Sequence, residues 1–115
     1  MLELNPEVFD TLIEDGTVVV DFYSNGCSPC VRMMKILPTL EEKLRNIAEM
    51  YKVNADEQTA LAEKYDVDSV PTFIFFNNGK EVERFSGVKT LAEIEQITLK
   101  VKENGYGEER TTQGQ

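Results

Sequence analysis

The chain has 115 residues, 41% hydrophobic and 9% aromatic, which suffices for the core of one domain. Its 21 acidic residues against 12 basic ones leave a formal charge of −9, which repels phosphate backbones and anionic headgroups and argues against nucleic acid and membrane surfaces as partners. With two cysteines and no histidine, redox or metal chemistry falls on those thiols and on carboxylates.

The opening MLELNPEVFD carries acidic residues where a secretory signal would carry positive charge, and no apolar run approaches bilayer-crossing length. A cytoplasmic setting is expected. In that reducing compartment two cysteines read as reactive or metal-binding rather than as a structural staple.

A short strand at Leu2 to Leu4 is expected to precede a helix that Asn5 caps and Pro6 opens, burying Val8, Phe9, Leu12 and Ile13 on one face and stopping at Gly16. Thr17 to Tyr23, TVVVDFY, is apolar and β-branched over too few residues for a helix. It reads as a strand buried on both faces.

Met33, Ile36, Leu37, Leu40, Leu44 and Ile47 recur at helical spacing, which predicts a helix from about Ser28 to Arg45, kinked at Pro38. IAEMYKVNAD then supplies a strand and EQTALAEKYDV a short helix with Leu61, Ala62 and Tyr65 inward. TFIFF and EVERF flank Asn78-Gly79, a strong hairpin signal. The last helix starts at a capping box, Thr90 to Glu93, and places Leu91, Ile94, Ile97 and Val101 on one face.

This order makes an α/β domain of residues 1–104, a mixed sheet with helices on both faces and one antiparallel side. Residues 105–115 are polar and glycine-rich and read as a disordered tail, in which Gly105 and Gly107 are too isolated to count as a dinucleotide fingerprint.

Both cysteines lie in SNGCSPCVRMM. Pro29 fits a helix only in its first turn, so Cys27 falls at the helix N-terminus, where unpaired N–H groups and the helix dipole favour a thiolate. Cys30, three residues on, is within reach of the same sulfur. The spacing suits a cycle in which Cys27 attacks a substrate disulfide and Cys30 resolves the mixed disulfide.

Cys30 then needs a base, and Asp21 stands out because its strand neighbours are apolar. Buried, it would be a carboxyl with a raised pKa able to shuttle a proton; at a strand end, it would simply reach solvent. Lys52 is placed either on the adjacent strand, modulating Asp21, or in solvent.

These residues resemble the thioredoxin family over residues 1–104. VDFYSNGCSPC is similar to its active-site segment, with an aspartate six residues before the first cysteine; SVPTFIFFNNGK is similar to the segment carrying its cis-proline, and FSGV to the adjacent glycine turn. The resemblance implies a thioredoxin fold with a cis Pro71, whereas the local sequence alone reads Pro71 as an ordinary trans proline. It also implies a shallow groove in which Gly26, Ser28, Pro29, Val70, Pro71, Gly87 and Val88 contact an extended substrate segment. Read without it, Gly87 and Val88 are merely a turn.

The implied activity is reduction of protein disulfides by a monomer that binds no cofactor and no metal. Its electrons would come from a separate thioredoxin-reductase-like donor, itself flavin- and NADPH-dependent. The alternative is a metal- or partner-binding module on the same fold without redox turnover, although two thiols per chain fall short of the ligands a structural zinc site takes. The sequence departs from the family pattern at Gly26 and Tyr23, where tryptophans are usual, at Ser28 for glycine, and at Lys35, with the helix proline displaced to Pro38.

Overall fold

The computed structural model describes residues 1–103. In chain order these form β1 (Leu2–Glu3), α1 (Pro6–Ile13), β2 (Thr17–Tyr23), α2 (Ser28–Lys43), β3 (Glu49–Asn54), α3 (Thr59–Lys64), β4 (Thr72–Asn77), β5 (Lys80–Ser86) and α4 (Leu91–Glu103). The expectations for the tail, including Gly105 and Gly107, lie outside the described residues.

The strands form one sheet in the order β1-β3-β2-β4-β5. β1, β3 and β2 run parallel, β4 is antiparallel to β2, and β5 is antiparallel to β4. This is the mixed α/β architecture expected of a thioredoxin fold.

Because side chains alternate along a strand, β2 feeds two cores. Val18, Val20 and Phe22 meet Phe9 and Ile13 of α1 and Leu61 of α3. Val19 points the other way and meets Met33, Leu37 and Leu40 of α2 with Ile94 and Val101 of α4. Asp21 and Tyr23 share the Val19 side, beneath α2.

Local chemistry sets the element ends. Asn5 Oδ1 accepts from Glu7 N and Val8 N at 2.9 and 3.2 Å, satisfying N–H groups that α1 leaves free. At α4, Thr90 N donates to Glu93 Oε1 at 2.9 Å and Glu93 N donates back to Thr90 Oγ1 at 3.1 Å. Asn78 and Gly79 both take the left-handed conformation, φ 50° and 85°, that a two-residue hairpin turn of type I′ demands.

Several details differ from the sequence reading: Val8, in the first turn of α1, is exposed rather than buried, β3 and α3 are shorter than the segments IAEMYKVNAD and EQTALAEKYDV, and the ends of β1 and α2 move. β1 stops at Glu3, although Leu4 N still donates to Lys52 O at 2.8 Å. α2 continues through Pro38 and ends at Lys43 rather than Arg45. Leu44 is buried and Ile47 packs against the same core, so apolar spacing persists through the turn after the helical backbone has ended.

Phe9 is fully buried, with its ring 6.4 Å from Phe22, 5.1 Å from Tyr65 and 6.0 Å from Phe76. Phe9→Ala is expected to cost about 3–5 kcal/mol, since the surrounding rings come from β2, from β4 and from the turn after α3 and cannot collapse into the space. Denaturant titration checks this; a loss under about 1 kcal/mol would contradict the packing described.

Candidate active site

β2 carries the chain out of the sheet centre, and Gly26 (φ 77°) turns it into α2. Cys27 is the N-cap of α2, and its Sγ accepts from Cys30 N at 3.1 Å. Ser28 and Pro29 occupy the first turn, where the missing N–H of proline costs nothing. Cys27 and Cys30 are joined in a disulfide with Cα atoms 5.2 Å apart.

The two sulfurs differ in access: Cys27 is half-buried, whereas Cys30 is 1% exposed. An incoming group can reach the first sulfur, and the second can be reached only from the first. An amide N–H aimed at Cys27 Sγ and the positive end of the α2 dipole stabilise negative charge there once the disulfide opens.

Opposite the disulfide lies the segment before β4. The Val70–Pro71 peptide is cis, and Val70 O lies 3.7 Å from Cys27 Sγ. Thr72 Oγ1 donates to Ser69 O at 2.7 Å and is 2.8 Å from Ser86 Oγ, while Gly87 N donates to Pro71 O at 2.9 Å. β4 and β5 thus hold the segment from both ends. Gly87 has φ 93° and no atom within 4 Å of where a Cβ would sit, so its place is set by backbone conformation and leaves open space above it. Val88 beside it is exposed, as are Val31 and Met34 on α2.

Asp21 does not reach solvent. It is 2% exposed, and its Oδ1 has no hydrogen-bond partner. Burial pushes its pKa up to about 7, against a smaller lowering by Lys52. Lys52 is the register partner of Asp21 on β3 and is half-buried.

The structure therefore brings together Cys27, Cys30, Pro71 and Val70 at one end of the sheet, with Asp21 and Lys52 beneath α2. Two contributions escape a reading of the sequence. Thr72 and Ser86, which pin the proline segment, lie in ordinary strand text. Tyr23, whose ring sits under the Lys52 ammonium, carried a signal in its two-residue spacing from Asp21.

A mixed sheet of this order, with a Cys-x-x-Cys disulfide at the start of the helix that follows its central strand, is the architecture of a thioredoxin fold. The sequence model of the thioredoxin family matches residues 1–100, and the chain belongs to that family. It is 41% identical over 81 residues to "Thioredoxin Y, chloroplastic" of Oryza sativa subsp. japonica, a match covering 69% of this chain and 48% of that protein. It is 40% identical over 86 residues to a thioredoxin of Chlamydia caviae, covering 75% and 83%. With a thioredoxin of Staphylococcus aureus it shares 35% identity over 89 residues, covering 75% and 86%. The chain thus spans about half of the rice relative and most of the bacterial ones. Among the described residues no helix is long and apolar enough to cross a membrane, and no group of three or more His, Cys, Asp or Glu is placed to hold a metal ion.

Proposed function

We propose that residues 1–104 act as a disulfide reductase in which Cys27 is the nucleophile and Cys30 the resolving thiol. The Cys27 thiolate attacks one sulfur of a protein disulfide, forms a mixed disulfide and releases the other sulfur as a thiolate that takes up a proton. Cys30 passes its proton to Asp21 and attacks Cys27 Sγ. The second substrate thiolate leaves and is protonated, so two electrons have moved and the Cys27–Cys30 disulfide remains.

Asp21 accepts the Cys30 proton in this scheme, with Lys52 modulating its charge. Substrate backbone lies along Val70 and Pro71, with Gly26, Ser28, Pro29, Gly87 and Val88 lining the same shallow groove. A separate flavin- and NADPH-dependent reductase returns the electrons, and a reducing compartment such as the cytoplasm keeps the cycle running.

The observation that carries this reading is the disulfide between an accessible Cys27 at a helix N-terminus and a buried Cys30. Equilibration in graded thiol buffers, with alkylated thiols counted by mass, tests it. The expected potential lies near the known thioredoxin value of about −270 mV, a reference for the family rather than a quantity obtained from this structure. A potential near about −120 mV, where strong oxidants sit, would replace the reductase with an oxidant, and failure of the pair to form a disulfide would leave only a binding role.

A further inference from the structure

Asp21 and Lys52 are register partners on neighbouring parallel strands, close enough for their opposite charges to act on each other, so an ion pair between them would be the simple outcome. None forms. Lys52 makes no salt bridge among the described residues, and Asp21 Oδ1 stays without a partner. Lys52 Nζ sits instead over the ring of its diagonal neighbour Tyr23, 5.7 Å from the centroid. There it borders a cleft of about 220 Å³, also lined by Met34, Pro38 and Glu41, which gives the ammonium access to water.

The ring is itself fixed. Tyr23 is 7% exposed, and its hydroxyl donates to Glu3 Oε2 at 2.6 Å, tying the catalytic strand to β1. Burial and the Glu3 carboxylate push the phenol up to about 12, so the ring stays neutral across the working range.

We propose that Tyr23 is a positioning residue of the redox cycle: its ring, anchored on Glu3, holds the Lys52 ammonium off Asp21 and keeps that carboxyl able to take up and return a proton. The proposal rests on the reading of Asp21 as proton carrier. Its physical basis is a competition for one cation. An ion pair with Asp21 would draw the ammonium into the layer under α2, away from water, whereas the ring face attracts it while its other side stays wet.

The remaining groups around Asp21 do not supply this function. α2 brings Cys30, with Cys27 at its start and Glu41 on the outer wall of the cleft; β4 brings Phe73 in register. α4 brings Ile94 and Val101 and has no buried charged side chain. Glu3 and Glu57 act on Tyr23.

The test titrates the Asp21 carboxyl carbon by NMR in the oxidised protein, for the unaltered chain and for Tyr23→Met, Lys52→Met and the double variant. In Tyr23→Met the midpoint is expected to fall by about 1 pH unit, the low end of what a cation brought beside a carboxylate does. In the Lys52→Met background, loss of the ring is expected to leave the midpoint unmoved. An unchanged midpoint in Tyr23→Met, or an equal fall without Lys52, overturns the proposal. Should Tyr23→Met fail to fold, the unaltered protein still decides: upfield-shifted Lys52 ε-methylene protons with cross-relaxation to the Tyr23 ring support the contact, and the absence of both overturns it. Asp21→Asn kinetics separate the underlying reading, because a pH–rate profile unaffected by that change would remove Asp21 as carrier while leaving the midpoint result standing.

Discussion

Cys27→Ser is expected to reduce disulfide-reductase turnover to the uncatalysed rate, while Cys30→Ser is expected to stop the cycle one step later, as a stable mixed disulfide with the substrate. The asymmetry follows from access. Cys27 is half-buried with its sulfur at a helix start, whereas Cys30 is 1% exposed and reaches the outside only through Cys27. A serine hydroxyl at position 27 does not ionise near neutrality, so no nucleophile remains in the accessible place. With serine at position 30, the first attack still proceeds, but nothing expels the substrate from Cys27 Sγ.

Intact mass before and after reduction reads both outcomes directly, since the Cys30→Ser adduct carries the substrate mass and loses it with dithiol. Alkylation of the reduced native protein should also label Cys27 first. Normal turnover by either variant would defeat the two-thiol cycle.

Much of the fold is legible in the sequence because its signals are local. The run from Thr17 to Tyr23 declares a buried strand by composition, Pro29 fixes where α2 begins, and Asn78-Gly79 fixes the hairpin through two left-handed residues. Where a signal reports burial rather than backbone, it overshoots: Leu44 and Ile47 face the core from a turn, so helical spacing runs past the end of α2.

The site divides along the same line. Cys27 and Cys30 are readable because their chemistry depends on spacing within one helix turn. The state of Asp21 is not, because it depends on α2 covering that face and on β3 presenting Lys52 in register 31 residues away in the chain. The cis bond at Pro71 entered through family resemblance, since nothing in the adjacent residues selects it. Compartment is beyond composition as well: an acidic chain suits any reducing space, and relatives of similar identity include a chloroplastic protein and bacterial ones.

Asp21→Asn is expected to make the oxidised protein more stable at pH 8.5 by up to about 4 kcal/mol, and to slow the resolving step by about 10²-fold at pH 7. The stability effect follows from the raised pKa, 3.8 in the unfolded chain and about 7 in the fold. Between those values the folded state holds a proton that the unfolded state has lost, so native stability falls as pH rises, by about 1.4 kcal/mol per unit, and levels off above the folded value. The oxidised form isolates this effect, because neither cysteine titrates in a disulfide. Asparagine removes the charge and keeps the size, but its buried amide also wants partners, so the full gain is an upper bound. The advantage should shrink to under about 1 kcal/mol by pH 4 and vanish below about pH 3, where the native aspartate is neutral in both states. Catalysis moves in the opposite sense: without a carboxylate to receive the Cys30 proton, resolution must wait for that thiol to ionise unaided, and the rate should recover at alkaline pH. Urea titrations at pH 4 and 8.5, paired with single-turnover kinetics across the same range, measure both; equal stability of the two proteins at pH 8.5 would mean that the carboxylate is solvated in the fold.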